Sequence, residues 1–251
     1  MPKGRRSPAP RQGSPRSGAS RGAKGGKAPA KAGGKAPAKR PARSQDAAPA
    51  APPASTAPFR LGTIPGATPG KWIDLWNERR TNPIELVPLA VADQRRALVS
   101  GEVDAAIVRL PIDRDDLHVI PLYDEVAVAV VPVDSHLTAA EELEASDLAG
   151  EVVITPADDV LGMPMPPGSV EPAFDAPLTT EDAVAVVASG VGVVVVPMSL
   201  ARLHHRRDID RRPLRDGPSS SVALAWVADR ESPDIDAFVG IVRGRTANSS
   251  R

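Results

Sequence analysis

The first 58 residues contain no Val, Ile, Leu, Phe, Trp or Tyr. A segment folds only when the apolar surface it buries offsets the conformational entropy it loses, about 1–2 kcal/mol per residue for the backbone alone. Ala, Gly, Pro, Ser, Lys and Arg cannot supply that surface, so this composition predicts that residues 1–58 are disordered. Folding is left to residues 59–251, a stretch long enough to enclose a full core. Charge divides at the same place. The arm holds 13 Lys and Arg against a single acid, Asp46, for a net +12, while the remainder holds 18 against 30 acids, for −12. The formal net charge of zero therefore describes an acidic globule carrying a basic arm.

Within the arm, KAPAK occurs twice in 27–41. Lys, Ala and Pro in alternation make an extended, self-repelling chain. Non-specific attraction to DNA or RNA phosphates through counterion release is one role that fits. A solubilising extension, or an arm lying on the chain's own acidic domain, is the other. Nothing in it can fold into a recognition helix, so sequence-specific reading of DNA is not expected of it.

Absent residue types remove further classes. The chain has no Cys, which excludes disulfide frameworks, thiolate metal sites, thiol catalysis and a lipoprotein anchor. The longest apolar run, 126–133, is far short of the roughly 20 residues of a membrane span. The basic N-terminus is followed by no 7–15-residue apolar stretch of the kind a secretory signal requires. The expectation is a cytoplasmic protein without membrane association, with nucleoid attachment through the arm.

From Phe59 onward the hydrophobic rhythm alternates between strands and helices, predicting an α/β fold. FRLGTI (59–64) reads as a strand, and Thr68-Pro69 as the start of a helix over 70–80. A strand at 84–89, a helix at 91–101 and the apolar run 104–111 complete a βαβαβ unit, which implies a parallel sheet. Residues 117–133 read as a short strand and a long one, and Thr138 with Glu141 as the capping box of a short helix. The second unit has strands at 151–156 and 191–197, with irregular, Pro-rich chain over 157–178 and a helix at 181–190 capped by Thr180. A helix at 198–205, strands at 209–214 and 221–229, and a last helix from Ser232-Pro233 finish the chain. Two α/β units joined by one long strand, with a returning strand near the end, point to two lobes around a cleft. Residues 59–129 and 224–251 would form lobe one and 130–223 lobe two.

Four passages resemble the effector-binding (substrate-binding) domain of LysR-type transcriptional regulators: FRLGTIPG, ALVSGEVDAAIVRLP, LYDEVAVAVVPVDSHLTAAEELEASDLAGEVVI and AVAVVASGVGVVVVPMSLA, in that order. Together they span most of 59–243. The resemblance implies a type 2 periplasmic-binding-protein fold, a small-molecule effector between the lobes, and a homodimer formed head to tail through the first helix of each lobe. Here that would involve Trp72, Leu75 and Trp76, unless the tryptophans belong to the core. Members of the family carry a winged helix-turn-helix before this domain, and here that space holds the basic arm. The resemblance therefore implies ligand sensing without a reading head for promoters.

Candidate ligand-binding residues follow from both arguments. The loop after the first strand, with Thr63, Ile64, Pro65, Gly66 and Thr68, lies ahead of a helix N-terminus, where free N–H groups favour an anionic ligand group. The resemblance places part of the effector pocket in the same loop. A P-loop is excluded, because the residue five before Gly70 is Pro65 and Lys71 is followed by Trp72. Arg109 ends a buried strand, at the edge where open α/β sheets bind ligands. Its guanidinium suits a carboxylate, or else a salt bridge to a neighbouring acid such as Asp113 or Asp116. Thr155 and Thr180 are candidates on lobe two. The glycines at 190 and 192 precede a strand and so form no dinucleotide fingerprint, but Gly192 would let backbone approach the cleft.

No metal, cofactor or catalytic constellation is expected. The adjacent His204 and His205 cannot share one helix face as ligands, the paired acids sit at turns or caps, and 72–251 contains no Lys and no Gly-x-Ser-x-Gly elbow. The favoured reading is a non-enzymatic sensor of a small, anionic metabolite. Its alternatives are an enzyme on the same two-lobed fold, as in prephenate dehydratase, and a nucleoid-associated protein acting through its arm.

Overall fold

The computed structural model describes residues 57–244; the basic arm, with the disorder expected of it, and residues 245–251 lie outside the described residues. Among the described residues nine strands form two sheets and alternate with five α-helices. The first sheet has the order β2-β1-β3-β9-β4, from β1 (Phe59–Thr63), β2 (Ile84–Pro88), β3 (Ala105–Arg109), β4 (Leu117–Glu125) and β9 (Ser220–Val227). The second has the order β6-β7-β5-β8, from β5 (Ala127–Pro132), β6 (Val153–Ile154), β7 (Val193–Pro197) and β8 (Ile209–Pro213).

The βαβαβ unit read from the sequence forms the parallel part of the first sheet, β1 pairing with both β2 and β3. β9 and β4 extend it antiparallel. Side chains alternate across this sheet as strand geometry requires. Leu61, Ile107 and Leu224 meet α1 (Gly70–Arg79) and α5 (Pro233–Val242) on one face, and Ala106, Val108 and Ala223 meet α2 (Gln94–Ser100) on the other. Trp72 and Trp76 are both buried in the α1–α5 core, with Leu75 packed against it. These residues, considered above for a dimer contact, are core residues of lobe one.

In the second lobe, Val128, Val130, Val194 and Val196 face α3 (Thr180–Ala188) and α4 (Met198–Leu203), while Ala129, Val131, Val193 and Val195 face Leu137, Leu143 and Leu148. Both sheet faces are covered, which is why β5 and β7 read as unbroken apolar runs. The chain changes sheet between Glu125 and Ala127 and returns between Pro213 and Ser220. At the first crossing the apolar run continues through Val126 without a break, whereas the second runs through polar chain at 215–219.

Local chemistry differs from expectation at three starts. Helix α3 is capped by Thr179, whose hydroxyl accepts from the Asp182 N–H, and Thr180 is its first helical residue. The segment after β5 forms two short 3₁₀ turns, His136–Ala139 and Ala145–Leu148, in place of one helix over 139–145. Ser135 caps the first and Glu144 with Asp147 boxes the second, because the acid-rich stretch between them holds no apolar stripe for a helix to bury. Helix α1 follows Pro69, and no side chain caps it.

Gly192, at φ +66°, lies just before β7 with its α-carbon against the Val152 carbonyl. A Cβ there would fall 2.1 Å from that oxygen. Only glycine allows the parallel pairing of β6 and β7 to begin at Val153 and Val193.

Candidate functional site

A cleft of about 580 Å³ lies where the two lobes face each other. Lobe one supplies the carboxyl ends of its three parallel strands: Pro65 after β1, Ala90, Val91 and Ala92 after β2, and Arg109, Leu110 and Pro111 at the end of β3. Lobe two supplies 157–160 after β6, residues 179–181 at the start of α3, and Leu200, Leu203 and His204 at the end of α4. This is the crevice beyond the strands' carboxyl ends where open α/β sheets hold ligands. Most of its lining is apolar, with polar groups at few points.

Arg109 is the buried anchor of the site, with 2% of its surface exposed. Its backbone is fixed by Gln94, which donates from Nε2 to the Arg109 carbonyl (2.8 Å) and accepts the Arg109 N–H at Oε1 (2.9 Å). Its guanidinium Nη1 donates to Glu125 Oε2 at 2.9 Å and to Ser220 Oγ. Ser199, on α4, donates to the same Glu125 oxygen at 2.9 Å. The cluster thus joins β3, the two sheet crossings and a helix of lobe two. Arg109 Nε has no hydrogen-bond partner among the described residues. Asp113, a partner considered above for Arg109, pairs instead with Arg95 at 3.0 Å. Burial raises the nearby Tyr123 phenol above its ordinary value, and the Glu125 carboxylate pushes the same way against the opposing pull of Arg109.

On lobe two, Thr180 is 3% exposed and donates to Asp158 Oδ1 at 2.9 Å. Asp159 accepts the N–H groups of Leu161 (3.0 Å) and Gly162 (2.8 Å). Glu181 is exposed and makes no hydrogen bond or ion pair among the described residues.

Of the residues singled out from the sequence, Pro65, Arg109 and Thr180 line this cleft. Thr63 ends β1, Ile64 is buried behind it, and Thr68 is exposed ahead of α1. Gly66, at φ +83°, is packed so closely against Ser199 that a Cβ would meet its Oγ at 2.6 Å. The first loop of lobe one therefore rests on lobe two. Thr155 lies in a separate, shallow pocket with Met163, Met165 and Pro166, and Gly192 lies against Val152. Sequence reasoning missed the contribution of β2. The strand-end rule that selected β1 and β3 applies equally to 90–92, and following it would have found them. Leu200, Leu203 and His204 carried no local signal. Among the described residues no group of His, Asp and Glu is arranged to hold a metal ion, and no helix is long and apolar enough to cross a membrane.

The model of the LysR substrate binding domain family matches residues 77–247. The chain is similar to the Hca operon transcriptional activator HcaR of Escherichia coli K12, 27% identical over 179 residues that make up 66% of this chain and 58% of that protein. It is also similar to the HTH-type transcriptional regulator CatR of Pseudomonas putida, 33% identical over 159 residues, 60% of this chain and 53% of that one. The chain thus spans little more than half the length of these regulators. Among solved structures, the reduced OxyR regulatory domain from Pseudomonas aeruginosa matches with a TM-score of 0.58 and 28% identity, over 75% of this chain and 95% of that one. The BenM effector binding domain with its effector benzoate shares the fold, with a TM-score of 0.60 at 21% identity over 75% of this chain and 91% of that one. The chain belongs to the LysR substrate-binding-domain family, with the two-lobed type 2 periplasmic-binding-protein-like fold of its effector-binding domains.

Proposed function

We propose that this chain is a sensor of the LysR regulator family that binds a small effector between its lobes and signals by their closure. The observation that carries this reading is the cleft itself, whose 580 Å³ falls within the roughly 300–1,000 Å³ usual for small-molecule sites. Binding without catalysis fits the chemistry of the lining, because its hydroxyls are spent on neighbouring acids, Thr180 on Asp158 and Thr179 on Asp182. The expectation of an anionic effector rested on the loop ahead of α1 and on Arg109, and that guanidinium is already paired to Glu125.

The test is a thermal-shift screen of the full chain against small uncharged, acidic and basic metabolites. An effector at 100 times its dissociation constant adds about 2.7 kcal/mol, or roughly 5–10 °C for a domain of this size. Ala157→Trp, an exposed substitution that fills the cleft, is expected to abolish the shift. A shift that survives it places binding elsewhere and overturns the proposal.

The same proposal gives residues 1–58 the task of attaching the chain, as a homodimer, to nucleic acid by charge alone, in the cytoplasm and on the nucleoid. Its support is the +12 charge of that segment. Affinity for random duplex DNA should fall steeply as salt rises and vanish when 1–58 are deleted. Undiminished binding after the deletion would overturn this role.

A further inference from the structure

The fixed charges of the cleft are organised against anions. Among the described residues Arg109 is the only Lys or Arg that lines it, and its counter-ion is already inside the protein: Glu125 at 2.9 Å, with 9% of its side chain exposed. Three more carboxylates line the wall of lobe two, those of Asp158, Asp159 and Glu181. The start of helix α3, which by itself would favour an anion, carries Glu181 and Asp182 in its first turn. A ligand carboxylate brought to Arg109 would therefore lie within a few ångströms of Glu125 and face the acidic wall opposite, and like charges at such range disfavour binding.

Arg109 is not exhausted as a donor. Its Nε is buried and unpartnered, and Nη2 reaches Ser199 Oγ only at 3.4 Å. Nη2, held only by that long contact, keeps donor capacity that a bound acceptor would satisfy. Because Glu125 has supplied the neutralising charge, that group needs only a lone pair, as on an amide, carbonyl or hydroxyl oxygen. At the other wall, Glu181 can accept from an N–H donor.

Resting on the reading of this cleft as the effector site, we infer that its effector carries no carboxylate: it is a small, largely apolar molecule with an uncharged oxygen acceptor for Arg109 and an amide or amine donor for the Glu181 wall, and Glu125 is the residue that excludes acids.

The test uses the full chain and matched probes in which one skeleton is presented as acid, primary amide and primary amine: benzoate, benzamide and benzylamine, then hexanoate, hexanamide and hexylamine. Thermal shifts locate binding, and calorimetry measures it. Amides and amines are expected to bind roughly tenfold or more tightly than the matched acids. Glu125→Gln keeps an acceptor for Arg109 and Ser199 but deletes the charge, so it should raise acid affinity by about tenfold relative to amide affinity. Glu181→Gln, at an exposed position outside the hydrogen-bonded Arg109 cluster, should weaken the amines selectively, so the inference remains testable if Glu125→Gln fails to fold. Acids that bind best to the wild-type chain overturn the inference and leave the effector reading standing. Probes of all three classes that fail to bind both wild type and variants count against the cleft as an effector site, and the inference falls with it.

Discussion

Trp76→Ala is expected to lower the unfolding free energy by about 3–5 kcal/mol, read as a fall in the urea midpoint, with the association state unchanged. Trp76 is fully buried in helix α1. Its ring stacks on Phe59 of β1 at 5.0 Å and lies edge-on to Phe238 of α5 at 6.0 Å, so the first strand and helix and the far-downstream α5 close around one indole. Its Nε1 donates to the Asn82 carbonyl at 2.7 Å, and Asn82 in turn donates to Asp234 at the start of α5 (3.0 Å). Truncation opens a cavity and also leaves a buried carbonyl without its donor, two losses that add. The association state is the discriminating readout. A tryptophan at a dimer contact would, on removal, yield a monomer of ordinary stability, whereas a core tryptophan yields a less stable protein in the same assembly. An unfolding free energy within about 1 kcal/mol of wild type would mean that the aromatic cluster does not hold lobe one together.

Much of this architecture is legible in the order of residues, for a definite reason. Covered sheets demand unbroken apolar strands such as AVAVVP and VVVVP, and helices need a stripe every third or fourth residue, so each element declares itself locally. What periodicity cannot declare is where an apolar strand leaves one sheet for another. Val126 is more than half exposed between two strands that belong to different lobes, yet as a letter it continues the apolar run. The site was legible in the same uneven way. The strand-end rule reached Pro65 and Arg109, because it depends only on where a parallel strand stops. It could not reveal that Arg109 is already spoken for. Glu125 is 16 residues further along, Ser199 is 90 and Ser220 is 111, and no spacing rule connects side chains that meet only after two lobes have packed. Asp113 and Asp116 were nearer in sequence, but proximity along the chain says little about partners across a cleft. Reading the charge of a pocket from its cations alone therefore leaves out a counter-ion that comes from another element.

Arg109→Ala is expected to cost about 3–5 kcal/mol, more than a surface ion pair could account for, because it leaves the Glu125 carboxylate buried without a partner. Exposed pairs of this protein, such as Arg96 with Glu102, are screened by solvent and contribute little, so the location of the pair decides the size of the effect. The same reasoning predicts that the damage is not additive. Glu125→Leu alone strands the guanidinium at a comparable cost, but Arg109→Met combined with Glu125→Leu removes both charges and fills similar volume. Such a replacement should recover most of the stability, since the attraction within a buried pair does little more than offset the desolvation of its members. Urea unfolding of Arg109→Met, Glu125→Leu and the combined variant beside wild type measures this coupling, and a combined cost equal to the sum of the two single costs would show that the residues act independently. Stability and geometry should then part company. The apolar pair can pack, but it cannot hold Ser199 of lobe two and Ser220 of the returning strand through hydrogen bonds, as the Arg109–Glu125 pair does. In the combined variant, amide hydrogen exchange should therefore quicken at residues 126 and 214–219, where the chain crosses between lobes, while strands β3 and β5 stay protected. The ion pair would in that case contribute little to how firmly the protein is folded and a great deal to the angle at which its two lobes meet the effector.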